Sequence, residues 1–237
     1  MKWFAALVVF VVSSSTAAGA ARADEISFTY SAELTFVTSY VWRGQRLSTD
    51  SMEPLAQPFV EVGLDPLGPG TLTAGVWSSR ALTERESNQE FDAYISYAIP
   101  VGPLALKGGY IVYVLPSGDP ADSMHEFSLQ ATTRWEVPVT LAAGLAVDPI
   151  RTEGWYAFGG ASHSFGLAGG SLDTSLNVGG SDYAGMDRSL QDVTATARAS
   201  HPIGGSGAYV AMTASSAWSG RDEELYYFAG LGVGVTR

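Results

Sequence analysis

Apolar and polar side chains alternate along much of the chain with a period of two residues, which is the period of a β-strand and not of a helix. From Glu126 to Glu136, the odd-numbered positions carry Phe, Leu, Ala, Thr and Trp, whereas the even-numbered positions carry Glu, Ser, Gln, Thr, Arg and Glu. Residues 224–236 repeat the pattern near the end of the chain. Strands of this kind have one face in an apolar medium and the other in a polar one.

About twelve segments alternate in this way, and most are close to the roughly 9 to 11 residues that a tilted membrane strand needs. The segments are residues 26–42, 55–64, 70–79, 90–99, 103–115, 123–136, 138–147, 154–165, 171–179, 189–201, 206–218 and 223–236. Long and short connections alternate between them, as outer loops and periplasmic turns do in bacterial barrels. The sequence therefore predicts an all-β, transmembrane, antiparallel up-and-down β-barrel with both termini in the periplasm.

The first 23 residues have the features of a cleaved signal peptide, which predicts a mature barrel of residues 24–237. Lys2 supplies the positive charge, residues 3–12 form the apolar run, and Ala21-Arg22-Ala23 resembles a cleavage site. That run is too short for a membrane-spanning helix, which needs about 20 residues. We therefore expect a location in the outer membrane of a Gram-negative bacterium, with outer-membrane lipid and the barrel-assembly machinery as partners.

Composition removes several other classes of protein. The chain has no cysteine, so a disulfide framework, thiol catalysis and cysteine-ligated metal are excluded. Its formal net charge is −11, and loss of Lys2 and Arg22 would make the mature chain more acidic still. Such a chain is a poor partner for nucleic acid.

Charged residues on the predicted inner faces comprise seven acids and three bases, and they are the candidates for lining a pore. They are Glu33, Glu61, Asp92, Lys107, Glu126, Arg134, Asp173, Asp192, Arg198 and Glu224. Charges at membrane depth avoid lipid, so these side chains either line a water-filled path or pair into a plug. The excess of acids predicts that a path would prefer cations, and ions or small solutes are then the expected ligands.

Aromatic residues near the predicted strand ends suggest girdles at the two membrane interfaces. The expected outer girdle consists of Tyr40, Trp42, Trp155, Trp218 and Tyr227. Arg43 follows at the outer end of the first predicted strand. It either pairs with an inner acid and narrows the entrance, or contacts lipid headgroups.

The segment Ser39-Tyr40-Val41-Trp42-Arg43-Gly44, followed by Ser48, resembles the N-terminal signature of the TorF-like family of outer-membrane porins. Trp77 lies in Gly75-Val76-Trp77-Ser78-Ser79, which is similar to that family's Gly-x-Trp-x-Ser strand. The resemblance implies an outer-membrane barrel for passive diffusion, without enzymatic chemistry or a cofactor. The chain departs from a common feature of exported barrels, because Arg237 stands where they often end in a lipid-facing aromatic residue.

Three other functions are considered beside a pore. A filled barrel would have a structural or adhesive surface role, and a soluble periplasmic barrel would bind a ligand inside. Ser162-His163-Ser164 raises the possibility of an outer-membrane lipid hydrolase, but neighbouring strand residues point to opposite faces and no Ser-His-acid set is readable. We therefore expect no enzyme. The histidines are too dispersed to predict a metal site.

Overall fold

A computed structural model describes residues 26–48, 53–83, 89–114, 123–135, 138–150, 154–182 and 189–237. The predicted signal peptide lies outside the described residues. In the described ranges, the regular secondary structure consists of β-strands. These ranges contain no helix with the length and hydropathy needed to cross a membrane.

Twelve antiparallel strands close into a barrel, which confirms the predicted fold class. In chain order, the strands are β1 (Ser27–Val37), β2 (Val41–Trp42), β3 (Gln45–Arg46), β4 (Leu55–Leu67), β5 (Gly70–Ala81), β6 (Glu90–Val101), β7 (Leu104–Val114), β8 (Met124–Thr133), β9 (Thr140–Asp148), β10 (Gly154–Leu167), β11 (Gly170–Asp182), β12 (Ser189–Ile203), β13 (Ala208–Ser219) and β14 (Glu224–Thr236). Strands β2 and β3 pair only with each other, and the other twelve form the wall.

The barrel closes where β1 meets β14, at a seam between the two ends of the chain. The register runs from Ser31 opposite Thr236 to Val37 opposite Gly230. Beyond it, the backbone N–H of Arg237 donates to the Tyr30 carbonyl at 2.9 Å, and the Tyr30 N–H donates back at 3.0 Å. The terminal arginine therefore extends the ladder through its backbone, which any residue type can do.

Large apolar side chains on the wall point outward, where lipid replaces water around them. On β8, for example, Phe127 and Leu129 are 48% and 60% exposed. Glu126, which precedes Phe127 and points to the opposite face, is buried. Asp92 and Asp192 are likewise buried on the inner face. This sorting follows from the pleat, because successive side chains point to opposite sides of a sheet.

The connections give the barrel two different ends. At one end, which we call the long-loop end, β1, β5, β7, β9, β11 and β13 end, and most of the longer stretches of sequence separate them from the next wall strand. At the opposite end, the short-turn end, β4, β6, β8, β10 and β12 end, and mostly shorter stretches separate them from the next wall strand. β1 begins and β14 ends at this short-turn end as well.

The first strand is shorter than predicted, and this changes the place of two aromatic residues. The prediction extended it to Trp42, but β1 ends at Val37 and the chain then turns inward. Tyr40 and Trp42 are only 4% and 3% exposed. Their assignment to the outer girdle was therefore wrong, because they fill the inside of the barrel.

A hairpin inside the barrel as candidate functional site

Residues 39–48 form a small hairpin, which we call the lumen hairpin. Val41 pairs with Arg46 and Trp42 pairs with Gln45. The two turn residues, Arg43 and Gly44, have φ angles of 44° and 72°. Two successive positive φ angles are typical of a type I′ turn. The twist of this turn matches the right-handed twist of the two strands that it joins.

The base of the lumen hairpin is closed by hydrogen bonds between its two arms. The Ser39 and Ser48 hydroxyls lie 2.6 Å apart. The Leu47 N–H donates to the Tyr40 carbonyl at 2.7 Å. Three residues of the family-like motif, Ser39, Tyr40 and Ser48, thus have a shared structural role in closing this short element.

One face of the hairpin packs against the wall near the long-loop end. Tyr40, Trp42 and Leu47 belong to a buried apolar cluster that also contains Leu55, Tyr94, Ile111, Tyr113 and Met124. Trp77 packs against the cluster, with its ring centroid 5.5 Å from that of Tyr40. The Tyr40 hydroxyl donates to Glu90 at 3.1 Å. The hairpin is therefore anchored on β4 to β8 by both apolar and polar contacts.

Arg43 at the tip lies in a cage made of two rings and a carboxylate. Its Nη1 and Nη2 donate to the two Glu126 oxygens at 2.9 Å and 2.6 Å. The guanidinium carbon lies 4.1 Å from the ring centroids of Trp42 and Tyr156. The Tyr113 hydroxyl contacts Glu126 at 3.4 Å. We call the set formed by Trp42, Glu126 and Tyr156 the Arg43 cage.

The tip also reaches strands on a further part of the wall. A Cβ atom added at Gly44 would lie 2.6 Å from the Asp192 Cβ and 2.8 Å from the Gln191 carbonyl oxygen. Arg46 lies over the Tyr226 ring at 5.3 Å. A single short hairpin can contact β6, β8, β10, β12 and β14 only from within the barrel, so it crosses the lumen.

A second polar layer lies between the hairpin and the short-turn end. Arg198 donates to the two Glu33 oxygens at 3.1 Å and 2.5 Å, and Tyr209 donates to Glu33 at 2.6 Å. On the other side of β1, where β4 lies, the Tyr94 hydroxyl donates to Glu61 at 2.8 Å. Lys107 interacts electrostatically with Glu61. Apart from the buried Tyr94, these side chains keep partial exposure, unlike those around the hairpin tip.

The structure separates the predicted lining residues into three groups. Glu126, Asp92 and Asp192 are buried around the lumen hairpin, and Glu33, Glu61, Lys107, Arg198 and Asp173 lie in partly exposed positions closer to the short-turn end. Asp173 there accepts a hydrogen bond from Ser171 at 3.2 Å. Arg134 lies just beyond the end of β8 and Glu224 begins β14, both exposed at the rims.

Three residues of the site were not predicted from the sequence. Glu90 shares the inner face of β6 with Asp92, and Tyr113 and Tyr156 contact the acids around Arg43. Strand parity could have found them, since Glu90 is two residues from Asp92 and Tyr156 follows a residue of the opposite face. Of these two neighbours, Trp155 was predicted as a girdle residue and Tyr156 was not assigned a role.

The histidine of the possible hydrolase motif has structural contacts. His163 makes a close contact between its Nδ1 atom and the Pro138 carbonyl oxygen, and its ring packs edge-on against Phe165 at 4.1 Å between centroids. Ser162 and Ser164 lie on the other face of β10. In the described ranges, no three His, Cys, Asp or Glu side chains are grouped so that they could hold a metal ion.

Comparison with known proteins gives a family and a set of similar barrels. Residues 20–198 match the family described as "Bacterial protein of unknown function (Gcw_chp)". The fold is similar to that of the KdgM porin, with a TM-score of 0.58, 9% identity and coverage of 86% of this chain and 98% of that one. An outer-membrane channel from Pseudomonas putida F1 gives a TM-score of 0.51 at 10% identity, with coverage of 94% and 100%.

A second structure of the first porin, in complex with disordered oligogalacturonate, gives a TM-score of 0.56 at 8% identity and covers 87% of this chain and 98% of that one. At such low identities the similarity shows the fold alone. None of the curated proteins matches the sequence.

Proposed function

Because the chain belongs to the Gcw_chp family and has the barrel fold of outer-membrane channels, we propose that it is an outer-membrane porin for passive diffusion of ions or small solutes. The observation that carries this proposal is the partly exposed second polar layer. Arg198 and Glu33 keep 16% and 14% of their side-chain surface accessible although they face inward. Charged groups at membrane depth that remain accessible are expected to border water.

The lumen hairpin then acts as the constriction of the pore. It narrows the long-loop half of the barrel, whereas the layer nearer the short-turn end borders a wider vestibule. Twelve strands enclose a lumen between the filled eight-stranded barrels and the open channels of sixteen or more. A hairpin that crosses such a lumen would leave room only for ions or small solutes.

A preference for cations is part of the proposal. Around the hairpin, Glu90, Asp92, Glu126 and Asp192 face inward together with Arg43. Acids thus exceed bases in the narrow part, where poorly screened charges have the greatest effect on selectivity. Pairing of Glu126 with Arg43 leaves this excess unchanged, because it takes one acid and one base together.

We further propose that the long-loop end is extracellular and that both termini are periplasmic. Long outer loops and short periplasmic turns are the usual arrangement in bacterial barrels. Export through the predicted signal peptide and insertion by the barrel-assembly machinery belong to the same proposal, as does the TorF-like assignment based on residues 39–48 and Trp77.

A filled barrel with a structural or surface role is the second candidate. The specific observation in its favour is the dense packing around the hairpin, where Leu55, Asp92 and Ser79 are fully buried. If the hairpin never leaves the lumen, the protein would conduct little or not at all.

Single-channel conductance in planar bilayers separates the two candidates, and reversal potentials across a salt gradient test the selectivity. The test variant combines Glu33→Gln, Glu61→Gln and Asp92→Asn, which replaces three inward-facing carboxyl groups by neutral amides. We expect the wild type to conduct and to prefer cations, and the triple variant to prefer them less. Glu224→Gln at the exposed rim is the control and should change selectivity little. Absence of conductance in folded protein would support the filled barrel, and an anion-selective wild type would contradict the cation preference.

A further inference from the structure

The surroundings of the Arg43 guanidinium resemble those of a cationic ligand in a binding site. Its guanidinium lies between two aromatic rings at 4.1 Å each, and its edge pairs with both oxygens of Glu126. Stacking on aromatic faces and two parallel bonds to a carboxylate are the interactions that proteins use to recognise planar cations. Only 8% of the Arg43 side chain is exposed.

A second negative group lies beside the cage. The Tyr156 hydroxyl donates to Asp192 at 3.0 Å, which fixes the ring that covers Arg43. Asp192 is 2% exposed and lies close enough to the guanidinium for the two groups to interact electrostatically. Two carboxylates and two rings therefore surround one cation, so that the surroundings would remain suited to a cation if Arg43 left.

Arg43 differs from Arg198, the other arginine of the described barrel interior that pairs with both oxygens of a glutamate. Arg198 belongs to a wall strand, and its guanidinium carbon lies 5.9 Å from the centroid of the Tyr209 ring. Arg43 lies at the tip of a hairpin that, among the described strands, pairs with none of the wall. Its guanidinium can therefore leave the cage without opening the barrel.

We propose that the Arg43 cage is a binding site for solutes that carry a guanidinium or primary amine group, and that Arg43 occupies it as an internal substitute for the solute. This inference rests on the proposed function, because it names the class of solute that the porin would admit. Guanidinium compounds should bind more tightly than amines, since only the planar group can pair with both Glu126 oxygens and stack on both rings.

Displacement of Arg43 by a solute would link binding to opening. A tethered group competes at a high effective concentration, so a small cation should bind poorly while Arg43 is in place. A solute that does occupy the cage stabilises only the states in which the hairpin tip has left it. Cationic solutes would thereby favour the wider form of the pore.

The test removes the internal occupant and offers a free one. Arg43→Gly suits the left-handed backbone of this position, where φ is 44°. Methylguanidinium chloride is titrated into detergent-folded protein by calorimetry, at constant ionic strength maintained with sodium chloride. We expect saturable binding to Arg43→Gly that is at least about tenfold tighter than to the wild type, and weaker binding of methylammonium.

Two further variants test the cage itself. Arg43→Gly combined with Glu126→Gln should bind methylguanidinium at least about tenfold more weakly than Arg43→Gly alone, since it lacks the charged partner. Arg46→Gly is the matched control, because it makes the same substitution on the same hairpin but leaves Arg43 in the cage. It should bind as poorly as the wild type.

If Arg43→Gly does not fold, as judged by its migration on unheated gels, Arg43→Lys replaces it. Lysine cannot pair with both Glu126 oxygens, so methylguanidinium should still bind this variant more tightly than the wild type. The proposal is overturned if the folded variant shows no saturable binding, or if Glu126→Gln leaves binding unchanged.

Bilayer recordings of the same proteins distinguish failure of this inference from failure of the porin assignment. Binding without any conductance would contradict the porin and keep the cation site. Conductance without binding would contradict the cation site and keep the porin. When both hold, methylguanidinium should block the sodium current of Arg43→Gly more strongly than that of Arg46→Gly.

Discussion

An arginine placed on either side of one strand gives a direct test of the membrane-spanning wall. Leu176 lies at the middle of β11 and is 51% exposed on the outer face. Ser175 precedes it and lies opposite Ser162 and Thr196 on the two neighbouring strands. The variants Leu176→Arg and Ser175→Arg therefore introduce the same side chain at the same depth, once toward lipid and once toward the lumen.

The two substitutions should differ strongly in free energy. An arginine on the lipid face costs about 2 to 4 kcal/mol at the bilayer midplane, because the charge loses its hydration. That cost corresponds to a roughly 30- to 800-fold change in the folding equilibrium. At Ser175 the guanidinium can reach water or the nearby Asp173 carboxylate, so we expect a cost below about 1 kcal/mol.

Both variants and the wild type are refolded into lipid vesicles over a series of urea concentrations. The folded fraction is read from the difference in gel migration between unheated and boiled samples. We expect the midpoint to fall clearly for Leu176→Arg and little for Ser175→Arg. Equal losses, or a larger loss for Ser175→Arg, would show that the faces of β11 have been assigned wrongly.

Two further predictions concern the lumen hairpin. A left-handed backbone costs a residue with a side chain about 1 to 2 kcal/mol. Gly44→Ala should destabilise the folded barrel by more than this in the same urea assay, because the new Cβ would also lie 2.6 Å from the Asp192 Cβ. Gly204→Ala is its control, with a φ of 63° and nothing within 4 Å, and a similar loss in both variants would contradict the tight contact. Glu126→Gln removes the carboxylate that pairs with both Nη atoms of Arg43, so trypsin should cleave the hairpin of the folded protein faster. An unchanged cleavage rate would mean that the ion pair does not hold the hairpin in place.

The wall could be predicted from the sequence because lipid imposes a strict pattern on it. Each strand must place apolar groups outward, so the alternation in segments such as 126–136 leaves little freedom in parity. Lipid also requires every backbone hydrogen bond to be satisfied within the protein, and closure into a barrel is the solution open to strands. Strand number followed from these two constraints, and so did the strand boundaries apart from the end of β1.

The lumen hairpin could not be predicted for a local reason. The alternation of β1 continues past its end, since Tyr40 and Trp42 keep the parity of the lipid-facing Leu34 and Phe36. Its turn also lacks the usual signal, because Arg43 replaces the Asn or Asp that commonly precedes Gly in a type I′ turn. Both features favoured the prediction that the first strand continues to Trp42.

The ion pairs of the interior were unpredictable for a different reason. Arg43 and Glu126 are 83 positions apart, and Glu33 and Arg198 are 165 apart. Strand parity shows that such side chains face inward but not which of them meet, since that depends on shear and curvature across several strands. The sequence indicated that Arg43 could pair with an inner acid, and the structure identifies that acid as Glu126.

The seam between β1 and β14 has a consequence for the order of folding. Neighbouring hairpins of the wall can form as the chain emerges, but Phe36 and Leu231 become partners only after nearly the whole chain is present. Closing so long a loop is entropically costly and slow. The lumen hairpin follows β1 directly, so it must be enclosed when this last ladder forms. Deleting the last residues of β14 should therefore prevent enclosure of the lumen hairpin, although the hairpin lies near the opposite end of the sequence.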